Sequence, residues 1–178
     1  MVIRGLPGSG KSTVAKIIAS KLGNVGIVDQ DEVDVKSDEF LELRRSVTGE
    51  IPDRTVIYRF DLRNAKQYLT ENKMVIWPQP WTKVWGIEKA VRSLKSEFPD
   101  LEVNVVQFDL PPEHANERVM QRAASGGHTF NEKSMQDFIL ANEEWQNNLG
   151  FEIPYFHLTP IDNPEDLADQ IITFLKRQ

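Results

Sequence analysis

The sequence of 178 residues contains no cysteine, which excludes a disulfide framework and thiolate metal or redox chemistry. It also lacks any apolar run approaching the ~18–20 residues that span a bilayer, so no membrane partner is expected. The opening "MVIRGLPGSG" has no basic stretch followed by an apolar segment and cleavage site, which argues against a secretory leader and for a cytoplasmic location. Basic residues are outnumbered, with 21 Lys and Arg against 27 Asp and Glu, for a net charge of −6. Duplex nucleic acid is bound through basic surfaces that displace counterions, so it is disfavoured as a partner. No repeat, low-complexity tract or linker divides the chain, and one domain over 1–178 is expected. What is present is 40% hydrophobic and 27% charged, the composition of a soluble chain with a real core.

Short apolar runs alternate with longer amphipathic ones. "MVIR" (1–4), "VGIVD" (25–29), "MVIW" (74–77), "LEVNVVQFD" (101–109) and "YFHLT" (155–159) read as strands. Helices are expected over 12–23, in most of 37–72 with a break at 48–53, and over 84–98 and 111–123. Two more are expected, from about 132 to 148 and over 163–178, the last with Asn163 as N-cap and Pro164 in its first turn. This alternation predicts an α/β fold with helices on both faces of a mostly parallel, five-stranded sheet. Ligands then bind beyond the carboxyl ends of the strands.

The most specific signal lies there. "GLPGSGKS" (5–12) matches G-x-x-x-x-G-K-[ST] between a strand and a helix. Gly5, Gly8 and Gly10 permit turns that aim amides at phosphate oxygens, Ser9 and Thr13 flank the cradle, and the helix adds its positive end. Lys11 carries an ammonium for the β- and γ-phosphates, and Ser12 a hydroxyl for Mg²⁺. ATP and Mg²⁺ are the expected cofactors.

After the second strand, "VDQDEVD" (28–34) places Asp29 and Asp31 two apart. If extended, they point the same way toward the phosphate loop. Asp31 is the candidate proton acceptor for an attacking hydroxyl, and Asp29 the candidate partner of hydrated Mg²⁺. "ERVMQRAASGGHTF" (117–130) puts Arg118 and Arg122 on one helical face before a glycine break. Fixed positive charge there can stabilise oxygens of a transferring phosphoryl group. The region 37–72 forms the acceptor-side wall if phosphoryl transfer is the chemistry, with Arg59 and Arg63 of "YRFDLR" as anion-binding candidates. "WPQPWTKVW" (77–85) adds Gln79 and Trp81, a ring that can stack on a ligand, whereas Trp77 is expected in the core.

"GLPGSGKST" followed by "VDQDEV" resembles the P-loop kinases that phosphorylate small hydroxyl-bearing acceptors, among them gluconate-kinase-like, zeta-toxin-like and phage polynucleotide kinases. The resemblance implies a three-layer α/β/α P-loop NTPase fold. In the polynucleotide kinase an "R-D-D" stretch supplies a catalytic Asp at the place matched by Asp31. The sequence departs from that pattern at Asp34, where the kinase has a functional Arg, and so points away from a nucleic-acid 5′-hydroxyl. The arginine pair is similar to the lid arginines of nucleoside monophosphate kinases, which implies a small helical lid over about 118–135. "SGGH" resembles the matching zeta-toxin-like segment, with Gly126 and Gly127 as hinges and His128 as a substrate contact. In such kinases the loop after the last strand borders adenine, which implicates Thr159 and Pro160.

The leading expectation is an ATP-dependent kinase acting on a small-molecule hydroxyl acceptor. Lys11, Asp31, Arg122 and Arg118 are its catalytic set. A nucleotide or polynucleotide kinase and a zeta-toxin-like amino-sugar kinase stay open. So do a P-loop ATPase switch, using Asp109 at the end of "VVQFD", and a noncatalytic nucleotide-binding protein.

Overall fold

The structure, a computed structural model, describes residues 1–47, 49, 51–126, 132–147, 154–159 and 163–177. Strand β1 (Val2–Gly5) is fully buried and leads through the glycine loop into helix α1 (Lys11–Leu22). Strand β2 (Val25–Ile27) follows, then a short 3₁₀ turn (Gln30–Glu32) and helices α2 (Asp38–Ser46) and α3 (Asp53–Thr70). Next come strand β3 (Met74–Pro78), helix α4 (Val84–Lys95), strand β4 (Val105–Phe108) and helix α5 (Pro112–Ala124). Helix α6 (Glu132–Asn147), strand β5 (Tyr155–Leu158) and helix α7 (Pro164–Leu175) complete the described chain.

The five strands form one sheet in the order β2-β3-β1-β4-β5, and every pairing is parallel. Two of the runs expected to be strands are markedly shorter in fact, because 28–29 and 101–104 leave the ladder. Apolar side chains fill both faces. Val14, Ile18, Ile76, Val106 and Ile171 pack with α1 and α7 on one side; Ala65, Trp77, Ile87 and Leu94 pack with α3 and α4 on the other. Burying both faces explains why these strands read as continuous apolar runs rather than alternating ones. Asn163 caps α7 as its sequence predicts, accepting from the amide of Glu165 at 3.0 Å. Among the described residues, no helix is long and apolar enough to cross a membrane.

Strand β1 lies at the centre of the sheet, so the loop leaving it emerges at mid-edge, between the β3 and β4 termini. That position lets elements from both halves of the chain reach one site.

Candidate active site

The phosphate loop is held by steric contacts as well as by its glycines. Gly8 has φ +83°, and a Cβ built there would lie 2.5 Å from the carbonyl oxygen of Ala115 in α5. Gly5, at φ +146°, would place a Cβ 2.7 Å from the Phe108 carbonyl oxygen in β4. The backbone of the loop is thus pressed against β4 and α5 with no room for a side chain. Gly8→Ala combines an unfavourable φ with a clash against immobile backbone. It is expected to destabilise the fold by about 2–4 kcal/mol in chemical denaturation and to abolish nucleotide binding.

A cavity of about 460 Å³ opens over this loop. Pro7 to Val14 line it, with Asp29, Gln30 and Asp31 from the turn after β2 and Arg118 and Arg122 from α5. Its size suits a small-molecule ligand. Gly8, Ser9, Gly10, Lys11, Ser12, Thr13, Asp29, Asp31, Arg118 and Arg122, singled out in the sequence, all meet here although they come from three separate segments.

Lys11 is buried, and its ammonium is folded back onto the loop. Nζ donates to the carbonyls of Gly5 and Leu6 at 3.0 and 2.8 Å, and to Ser9 Oγ at 3.3 Å. Burial pushes its pKa down to about 7; Asp29 and Asp31 oppose that shift, and Arg4 and Arg122 add to it. An anionic phosphate would restore a high pKa by supplying the missing counter-charge.

Asp29 and Asp31 converge by a different geometry from the extended one expected. Strand β2 stops at Ile27, and buried Asp29 caps the 3₁₀ turn by accepting from the Asp31 amide at 3.1 Å. Such Asx turns arise because a short carboxylate competes for its own downstream amide. Asp29 therefore sits in the cavity floor, while Asp31 is exposed at its rim. Among the described residues no group of three or more His, Cys, Asp or Glu could hold a metal. The donors present, the half-buried hydroxyl Ser12 and carboxylate Asp29, suit a Mg²⁺ held chiefly by phosphates and water.

Other expected residues lie elsewhere. Arg59 and Arg63 are exposed and do not line the cavity, and Arg63 lies over the Phe60 ring at 4.9 Å. The residue midway between them is Asp61, which is 1% exposed, and helical geometry turns both arginines to the opposite side of α3 from it. Trp81 is no stacking platform: at φ +48° it turns inward, 8% exposed, edge-to-face on Trp77 at 5.1 Å. Gln79 is half-buried and donates to Asp61 Oδ2 at 3.0 Å. Thr159 is exposed and off the cavity, whose wall on that side comes from Pro164 and Leu167. Gly127, His128 and Pro160 lie outside the described residues.

Two polar features went unread in the sequence. Burial pushes the Asp61 carboxyl up to about 7, an effect opposed by the Gln79 hydrogen bond and increased by the nearby charge of Asp29. Arg4, 1% exposed in β1, reaches its ladder neighbour Gln107 in β4 and Asn142 of α6, the latter at 3.0 Å. Tyr155 also donates to Gln107, at 3.0 Å. The signal was a charged residue and an amide inside otherwise apolar strands.

Comparison with known proteins places the chain by family and by fold. The AAA domain family (AAA_33) matches residues 1–141. A search of curated proteins gives no match. A sugar kinase from a Janibacter species superposes with TM-score 0.66 at 22% identity, over 98% of this chain and 92% of that one. The tunicamycin resistance protein of Deinococcus radiodurans gives 0.63 at 18%, over 98% and 94%. APS kinase CysC of Mycobacterium tuberculosis, solved with AMPPNP and APS, gives 0.61 at 19%, over 98% and 96%. All share the fold.

Proposed function

Because the chain belongs to the AAA domain family and has the fold of the P-loop kinases, we propose that it is a kinase. It would transfer the γ-phosphoryl group of ATP to a hydroxyl of a small molecule. The observation that carries this reading is the single cavity shared by the phosphate loop, the Asp29–Asp31 turn and the Arg118–Arg122 pair. A cradle alone binds nucleotide. A cradle with a rim carboxylate and two guanidinium groups has the parts of a transfer site.

In this reading the loop amides and Lys11 hold the β- and γ-phosphates. Ser12 and Asp29 hold Mg²⁺, which neutralises developing charge on the phosphates when bound. Asp31, exposed at the rim, accepts the acceptor's hydroxyl proton. Arg118 and Arg122 stabilise the equatorial oxygens of the transferring group, on a helix that leads toward the glycine break. Pro164 and Leu167 offer an apolar edge for the base.

A switch ATPase would use Asp109, at the end of β4, near the metal. Asp109 instead pairs with His157 Nδ1 at 2.7 Å and does not line the cavity. That placement favours the kinase over the switch. The test is incubation with Mg²⁺, ATP and a metabolite panel, with phosphorylated products read by mass spectrometry. Asp31→Asn is expected to lower acceptor-dependent transfer about a hundredfold or more while leaving ATP binding within a few-fold. Undiminished transfer by this variant would remove Asp31 from the role of base.

A further inference from the structure

Helix α6 carries Met135, Phe138, Ile139 and Asn142 at helical spacing, so they share one face. Met135 is buried, and Phe138 and Ile139 pack against the cluster of Leu6 from the phosphate loop with Leu110 and Ala115. This apolar stripe ends on a polar residue, Asn142, which meets a polar partner. Arg4 of β1 donates Nη2 to Asn142 Oδ1 at 3.0 Å and Nη1 to Gln107 Oε1. Gln107 Nε2 donates to the same Asn142 oxygen at 3.4 Å, and Tyr155 of the next strand donates to Gln107 at 3.0 Å.

These bonds fall at the root of the phosphate loop. Arg4 and Leu6 flank Gly5, and the carbonyls of Gly5 and Leu6 hold the Lys11 ammonium. The loop root is thus attached to α6 on both sides of Gly5, by a guanidinium bond before it and an apolar contact after it. Phe138 and Asn142 close against Arg4, Gly5 and Leu6 around a space too small for water. One turn before Asn142, Phe138 also lines the cavity over the loop. Stability alone is a poor reason for this arrangement. Burial pushes the Arg4 pKa down, opposed by Tyr155 and by the charge of Asp109, and apolar packing fills such a site without losing a cation's hydration. What the bonds add is direction, because the planar fork meets Gln107 and Asn142 in one register of α6. Lys83 and Glu144 also tie α6 to the loop after β3 at 3.0 Å, but both are exposed and such a pair contributes little.

We infer that Arg4 is a positioning residue for the nucleotide: through Asn142 it holds α6 over the root of the phosphate loop, and so sets Phe138 as a wall of the nucleotide cavity. This rests on the nucleotide-binding part of the reading above and is independent of the acceptor. Arg4 does not line the cavity and acts through α6. Loss of the clasp leaves the loop itself in place, because Gly5 and Gly8 press on the backbones of β4 and α5. It frees α6 to move away from the bound nucleotide, which then leaves faster.

The test is binding of AMPPNP with Mg²⁺ to the full chain, read by calorimetry at a temperature where every variant is folded. Both described bonds to Asn142 are accepted by Oδ1, so Asn142→Asp keeps them and Asn142→Leu does not. Asn142→Leu is expected to raise Kd at least about tenfold, and Asn142→Asp to stay within about threefold of the wild type. Phe138→Ala is expected to weaken binding to a similar degree. Combined with Asn142→Leu it should add little to either alone, because both remove one wall. A merely structural clasp would lower the urea midpoint of Asn142→Leu and leave Kd of the folded protein unchanged. That result, equal weakening by Leu and Asp, or additive losses in the double variant overturns the inference. Hydrogen exchange of the wild type over 132–147 decides the matter if a variant does not fold. These amides are expected to exchange at least about tenfold more slowly with AMPPNP bound, and unchanged exchange overturns the inference. Failure of the wild type to bind AMPPNP overturns the kinase reading, and this inference with it.

Discussion

Lys11→Met is expected to reduce acceptor-dependent transfer about a thousandfold, because on the proposed kinase reading it removes the ammonium that would hold the β- and γ-phosphates. The same substitution should not weaken the ligand-free fold in proportion. The Lys11 ammonium is folded against two carbonyls, and burial holds its pKa at about 7, well below the ordinary lysine value of 10.5. The unfolded chain therefore binds more protons than the folded one between pH 7 and 10.5, so this group makes stability rise with pH across that window. Below pH 7 its cost is fully present, on the order of 5 kcal/mol, partly offset by its hydrogen bonds. In urea titrations the variant should lose that rise and be at least as stable as the wild type at pH 7, because the cost of the buried ammonium is gone. At pH 8, nucleotide binding to the wild type should take up about one proton as phosphate restores the ammonium. Calorimetry in buffers of different ionisation enthalpy measures that uptake, and Lys11→Met should show none.

Arg122→Ala is expected to cost about a thousandfold in kcat, with KM for ATP changed only a few-fold. Arg122 lines the cavity from the last turn of α5, and its charge is felt by Lys11. It is exposed, so its loss should cost the fold less than about 1 kcal/mol through the helix dipole. The large kinetic and small thermal effects separate a role in transfer from a role in packing. Arg122→Lys should recover only part of the rate, because a single ammonium cannot reproduce the planar fork of a guanidinium. An equal fall in stability and rate would instead make Arg122 structural.

The phosphate loop and the parallel sheet were legible in the sequence because both rest on local rules: glycine spacing, strand–loop–helix order and apolar runs buried on both faces. The meeting of Asp29 and Asp31 with Arg118 and Arg122 followed from the placement of strand ends. The lining on the β2–β3 side did not, since it depends on which way α3 is rotated. Arg59 and Arg63 looked like ligand groups by their charge, yet the helix buries Asp61 between them. Trp81 looked like a stacking surface until a left-handed backbone turned it onto Trp77. Arg4 escaped notice because only the β1–β4 register brings it to Gln107, and only the packing of α6 brings Asn142 to both.

On the proposed reading, the site holds a nucleotide by its phosphates and reacts only once a second molecule arrives. The most direct test is steady-state ATP turnover with Mg²⁺, measured with and without the acceptor drawn from the metabolite panel. The account predicts slow turnover alone, an increase of at least about a hundredfold with acceptor, and one phosphorylated product per ADP formed. Equally fast ATP hydrolysis without any acceptor would contradict it.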